Sequence, residues 1–207
     1  MSSLPRPSKI VCVGRNYAAH AAEFGNEVPA DPLLFLKPPS AHTGAGEAIV
    51  LPPDVGRVDF EGEIGVIIGR KATHVSQADA LDFVAGIVPV NDVTARDLQR
   101  KDSQWSRAKG FDTFCPMGEM VPIEDVDMDN LGVLTRVNGR EKQRGTVDQM
   151  VFSIPFLISY ISRIMTLEPG DLLATGTPEG VGPLVEGDVV EVEISGVGTL
   201  TNPVAAR

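Results

Sequence analysis

The sequence predicts a mainly β fold with a few helices, an α+β arrangement on antiparallel or mixed sheets. Three observations point there. Short runs rich in Val, Ile and Leu recur along the 207 residues, most of them closed by glycine, proline or an Asn-Gly pair. Only one or two stretches carry apolar residues at helical spacing over enough length for a substantial helix. Strands and helices do not alternate regularly, which argues against a doubly wound parallel sheet.

Hydrophobic residues make up 43% of the chain, enough for a proper core in a single domain spanning 1–207. Residues 1–8 are expected to form a flexible tail. The formal net charge of −10 argues against nucleic acid as a partner, because phosphate recognition needs a basic surface. It leaves room for a small anionic ligand, since one metal or a few Arg and Lys can dominate a cleft. Cys12 and Cys115 lie in no CxxC pattern and read as buried thiols of a reducing compartment. No apolar run approaches about 18 residues and the N-terminus has no apolar signal core. A cytoplasmic location with no membrane contact is the expectation.

Residues 9–14 form a short apolar strand. Asn16 can cap a helix over 17–24, rich in alanine and stopped by Gly25. His20 and Glu23 stand three apart and share a face of it, where a carboxylate fixes the imidazole tautomer and raises its basicity. Such a short helix has little stability of its own, so residues 16–30 are a candidate lid. A strand over 33–37 is stopped by Pro38-Pro39, and 40–46 is loop.

Residues 59–69 form the strand around which the rest is organised. Side chains alternate faces, so Glu61 and Glu63 point to the same side. Two close carboxylates repel unless a cation joins them, and a hard divalent metal suits oxygen ligands. The alternative is a solvated polar strand edge.

Residues 76–84 read as a helix capped by Ser76, and 84–90 as a buried strand delivering Asn91 and Asp92. A helix over 93–100 would place Asp92, Arg96 and Gln99 on one face, with Asp92 either functional or an N-cap paired to Arg96. Residues 101–109 are polar; Lys109 precedes a glycine and a loop into the next strand. Asn138-Gly139 closes a hairpin over 131–145. Residues 150–165, interrupted by Pro155, give the best core helix. Two turn–strand units follow at 167–175 and 185–194. The glycine-rich loop 176–183 between them lacks the Walker and dinucleotide signatures but permits close backbone approach to a ligand.

Five ordered segments, VGRNYAAHAAE (13–23), FEGEIGVIIG (60–69), VNDVTARDLQ (90–99), AKGFDTFCP (108–116) and PGDLLATGTPEGVG (169–182), together resemble the fumarylacetoacetate hydrolase family. The likeness spans essentially the whole chain and is greatest to short members similar to acylpyruvate hydrolase and oxaloacetate decarboxylase. It implies a mixed β-roll or sandwich like the family's C-terminal domain, a homodimer, and a Mg2+ or Mn2+ ion held by Glu61, Glu63 and Asp92. His20 and Glu23 would be a water-activating dyad and Lys109 a catalytic cation. Arg15, Arg96, Gln99 and Thr177 would contact a 2-oxo acid substrate. Gly62 is smaller than the apolar residue usual between the two glutamates and would face away from the metal.

The implied reaction is hydrolysis of the C–C bond of 2,4-dioxo acids to pyruvate and a carboxylic acid. Oxaloacetate decarboxylation, isomerisation or decarboxylation of a dienoic diacid, and metal-dependent binding without turnover are the alternatives.

Overall fold

The computed structural model describes residues 7–23 and 25–207. Most of the tail expected over 1–8, and Phe24 of the first expected helix, lie outside the described residues. Ser8 does not belong to a loose tail. Its backbone N and Oγ donate to Asp171 at 2.9 and 2.7 Å, Lys9 N donates at 3.1 Å, and Lys9 Nζ pairs with the same carboxylate. Glu168 N donates to the other Asp171 oxygen at 2.8 Å.

Burial alone would raise the Asp171 pKa, but these hydrogen bonds outweigh it and hold the carboxyl below its usual value. Asp171→Ala should therefore cost about 3 kcal/mol, because several donors lose one charged acceptor. A carboxyl depressed in the folded state stabilises fully above its unfolded pKa near ~4, and the contribution fades as pH falls through the folded value. Urea midpoints of variant and wild type should thus converge in strong acid; a constant gap across pH would contradict the assignment.

Strands dominate the architecture, as expected. A six-stranded sheet has the order Val121–Pro122, Val84–Asn91, Gly62–Ile68, Leu172–Ala174, Ile10–Gly14, Leu33–Lys37. Within it only Ile10–Gly14 and Leu172–Ala174 pair in parallel. A five-stranded sheet runs Arg140–Thr146, Gly132–Val137, Val189–Ile194, Gly198–Ala206, Ile49–Leu51. Ile64, Val66 and Ile68 from the first sheet meet Val133, Val192 and Leu200 from the second in one core. The helix Ile154–Ile164 adds Leu157, Ile158 and Ile161 to it.

The central strand Gly62–Ile68 is buried throughout, which explains its nearly unbroken apolar run. Its other face, with Ile67, joins Cys12, Val88, Val90 and Cys115 in a smaller cluster. Glu61, Glu63 and Asp92 continue that second face. Gly62 points the opposite way, as expected: a Cβ there would lie 1.9 Å from Thr135 Oγ1 and 3.3 Å from Val192 Cγ1.

Several local expectations change. The organising strand breaks at Glu61 into Val58–Phe60 and Gly62–Ile68. Residues 76–84 form only a 3-10 turn at Ala80–Phe83; the Ser76 hydroxyl accepts from Asp79 N instead of starting an α-helix. The helix expected over 93–100 is Arg96–Lys101, preceded by the short strand Thr94–Ala95. Ser106–Lys109, within the polar stretch 101–109, is a helical turn that delivers Lys109. Pro155 interrupts nothing, because it sits in the first turn of Ile154–Ile164 behind the Ser153 cap, where its missing N–H is harmless. The hairpin turn is as expected, with φ of 51° at Asn138 and 72° at Gly139. Both cysteines are free and buried; burial, more than any neighbouring charge, pushes the Cys115 thiol up to about 12.

Candidate active site

Antiparallel pairing of Gly62–Ile68 with Val84–Asn91 places Gly62 opposite Asn91 and Glu63 opposite Val90. The next residue out on each side continues the contact, with Asp92 N donating to Glu61 O at 2.8 Å. Asn91 Oδ1 accepts from Glu61 N at 2.9 Å and fixes the break in the strand. The result is a triad: ligand oxygens of Glu61, Glu63 and Asp92 lie within 4.8 Å of one another, and all three residues are buried.

Cations ring the acids. Lys109 Nζ donates to Asp92 at 2.6 Å, Glu61 at 3.0 Å and the Thr94 hydroxyl at 2.8 Å. Lys37 Nζ holds the other Asp92 oxygen at 2.5 Å and the Val93 carbonyl at 3.1 Å. Arg96 spans Asp59 at 2.8 Å and Glu61 at 2.6 Å, and it donates to Gln99 Oε1 at 3.0 Å. The Asp92 oxygens thus go to Lys37 and Lys109, and the residue at the N-cap of the helix Arg96–Lys101 is Ala95.

Burial opposes ionisation of Glu61, but Lys109, Arg96 and His20 outweigh it and hold the carboxyl well below its usual range. Burial likewise disfavours the Lys109 ammonium, and Asp92 and Glu61 more than restore it. Glu63 differs. Burial first, then Asp92 and Glu61, push its pKa well up. Its one direct partner among the described residues is Gly176 N at 2.8 Å. Three buried carboxylates, one lacking a bonded cation, form an all-oxygen donor set that fits a hard divalent ion such as Mg2+ or Mn2+.

A cavity of about 330 Å³ opens on the triad. Arg15, His20, Arg96, Gln99, Lys109 and Thr177 all line it, so the structure brings together residues spread over some 160 positions. Glu23 stands behind His20, with a carboxylate oxygen 3.2 Å from Nδ1, and Gly180 N donates to it at 3.2 Å. The Thr177 hydroxyl is already engaged: it donates to Gly62 O at 2.8 Å and accepts from Gln143 Nε2 at 2.7 Å. It braces the glycine-rich loop against the acidic strand.

Asn16 does not cap the helix, which runs Ala18–Glu23. Its side-chain amide donates to Phe152 O at 3.0 Å and Thr175 O at 2.8 Å, and its oxygen accepts from Phe152 N at 2.8 Å. Gly176 packs on it with φ of 104°, and a Cβ there would sit 2.7 Å from Asn16 Cβ. Gly176→Ala should therefore destabilise by about 2 kcal/mol and loosen the Glu63 contact. Chemical denaturation reads the first effect, and an unchanged midpoint would contradict it.

Lys37 and Asp59 are the parts of the site that sequence reasoning passes over. A lysine ending an apolar strand was the available signal for Lys37. For Asp59 it was a third acid two residues before Glu61, which alternation places on the same side.

The family described as fumarylacetoacetate (FAA) hydrolase C-terminal matches residues 9–205. The chain belongs to that family. It is 44% identical to the mitochondrial oxaloacetate decarboxylase of Dictyostelium discoideum over 92% of this chain and 90% of that one. The crystal structure of 5-carboxymethyl-2-hydroxymuconate delta-isomerase from Mycobacterium smegmatis superposes with a TM-score of 0.91 at 48% identity, covering 98% of this chain and 80% of that one. Fumarylpyruvate hydrolase from Pseudomonas aeruginosa, solved with Mn2+ and pyruvate, gives a TM-score of 0.93 at 32% identity over 100% and 93%. The family assignment confirms the fold expected from the five sequence segments. The three relatives carry decarboxylase, isomerase and hydrolase names, so fold and family leave the reaction open.

Proposed function

We propose that this chain hydrolyses 2,4-dioxo acids of the acylpyruvate or fumarylpyruvate type to pyruvate and a carboxylic acid. The carrying observation is that the buried acidic triad and the His20–Glu23 pair open on one cavity. Glu61, Glu63 and Asp92 would hold Mg2+ or Mn2+, which supplies Lewis-acid stabilisation of negative charge on the substrate oxygens.

The residues do the rest. Lys109 and Arg96, both buried, add fixed positive charge beside those oxygens. Glu23 holds the His20 Nδ1 proton, leaving Nε2 as the base. Nε2 takes a proton from water as its oxygen adds to the C4 carbonyl. The C3–C4 bond then breaks, its electron pair passes into the 2-oxo group as an enolate, and a proton returns to C3 to give pyruvate. The helix Ala18–Glu23 would act as the lid over this step. Hydrogen exchange across residues 16–30 should slow on adding oxalate with Mg2+, and equal exchange would remove the lid.

A second reading, conversion of oxaloacetate, draws support from the decarboxylase relative at 44% identity. It uses the same electron sink and needs no attacking water. Pyruvate release from acetylpyruvate, fumarylpyruvate and oxaloacetate, each with and without EDTA, tests both. Release from the first two that EDTA abolishes is the expected result. Turnover confined to oxaloacetate would replace the first reading with the second, and indifference to EDTA would sink the metal role.

A further inference from the structure

Among the described residues, four arginines and lysines line the cavity: Arg15, Arg96, Arg100 and Lys109. Three already face carboxylates. Arg96 is held by Asp59 and Glu61, Lys109 by Glu61 and Asp92, and Arg100 by Asp97. Arg15 has no acid partner among the described residues. Arg15 is half-buried, and a guanidinium, with five donors in a fixed fork, is suited to receive a carboxylate.

The backbone points the same way. Arg15 adopts φ of 58°, a left-handed conformation that a long side chain rarely takes. Its surroundings enforce it. On one side, Gly14 follows the Ile10–Cys12 pairing with Leu172–Ala174 and packs under the Trp105 ring, where a Cβ would lie 3.1 Å from Cζ3. On the other side Asn16 is fixed through its amide to Phe152 and Thr175, and its carbonyl accepts from Val151 N at 2.8 Å. Backbone strain maintained by so many contacts marks a residue whose placement matters. The aromatic pair Phe35 and Trp105, with centroids 5.2 Å apart, lines the same cavity and gives it an apolar wall.

We infer that Arg15 receives a second carboxylate, at the far end of the substrate, so that the site selects 2-oxo acids that are dicarboxylic over those ending in an uncharged group. The inference rests on the 2-oxo acid reading above for the near end of the ligand. It makes Arg15 a specificity-determining contact and ranks fumarylpyruvate-like compounds or oxaloacetate ahead of simple acylpyruvates.

Two probes of equal length isolate the far group: 2-oxoglutarate, which ends in a carboxylate, and 2-oxovalerate, which ends in a methyl. Calorimetric titration in Mg2+ should show wild type preferring 2-oxoglutarate by about 10- to 100-fold, the range for one charge-assisted hydrogen bond. In Arg15→Met the ratio should fall to about one, in Arg15→Lys it should fall only part-way, and in Arg100→Met it should persist. Equal binding of the two probes by wild type overturns the inference and leaves the 2-oxo acid reading standing; that arm does not depend on any variant folding. A preference that survives in Arg15→Met, or that vanishes in Arg100→Met instead, also overturns it. Binding of neither probe overturns both readings.

Discussion

Glu63→Gln should abolish Mg2+ and Mn2+ binding and lower pyruvate release from acylpyruvates by about three orders of magnitude or more, roughly 4 kcal/mol of transition-state stabilisation. Yet the metal-free protein should be at least as stable as wild type. Among the described residues Glu63 is the triad member with no bonded cation, and burial together with Asp92 and Glu61 disfavours its charge. A glutamine keeps the shape and can still accept from Gly176 N while removing the repulsion. Glu61→Gln makes the contrast. Its carboxylate bonds Arg96 at 2.6 Å and Lys109 at 3.0 Å, so neutralising it leaves buried cations undercompensated and should cost about 3 kcal/mol. Thermal melts in EDTA compare the two variants, and titration with Mn2+ reads the binding. If Glu63→Gln bound Mn2+ like wild type, or unfolded more readily than Glu61→Gln, the triad would not be the metal centre.

His20→Ala should lower kcat for acylpyruvate hydrolysis by about two to four orders of magnitude, the usual loss on removing a general base. Oxaloacetate decarboxylation by the same variant should change by less than about tenfold, because no water has to be deprotonated. His20 is buried and its Nδ1 lies 3.2 Å from a Glu23 oxygen, the pairing on which the proposed base role rests. The two assays share one protein preparation, so misfolding would depress both and is recognisable as such. Full hydrolytic activity in the variant would take the dyad out of the mechanism, leaving the metal and the cations as the whole catalytic apparatus.

How much of this could be read from the chain follows from the range of the forces involved. The hairpin at Asn138-Gly139 was legible because its two φ values are a property of those two residues. The pairing of Glu61 with Glu63 was legible because strand periodicity is local. The expected helix over 76–84 failed for the complementary reason: its cap and spacing were adequate locally, but the chain there only bridges two strands. The strand Gly198–Ala206, nine residues long, went unread: one edge pairs with the preceding strand Val189–Ile194 across a short turn, but its C-terminal end is held by Ile49–Leu51, far earlier in the chain. The resemblance to the fumarylacetoacetate hydrolase family supplied what periodicity could not, the membership of Asp92 in the acidic cluster.

By itself, then, the sequence determined the strand-rich class, the two glutamates on one face, the histidine–glutamate pair and the family. Only the tertiary structure decided what each charge faces: that Lys37 and Lys109 divide the oxygens of Asp92, that Arg96 serves Asp59 and Glu61, that Thr177 braces a loop, and that Arg15 lines the cavity with no acid partner among the described residues. The reason is physical. Periodicity and turn chemistry act over a few residues, whereas a buried charge is settled by whichever opposite charge the sheet register brings within about 3 Å, and that register is a property of the whole fold.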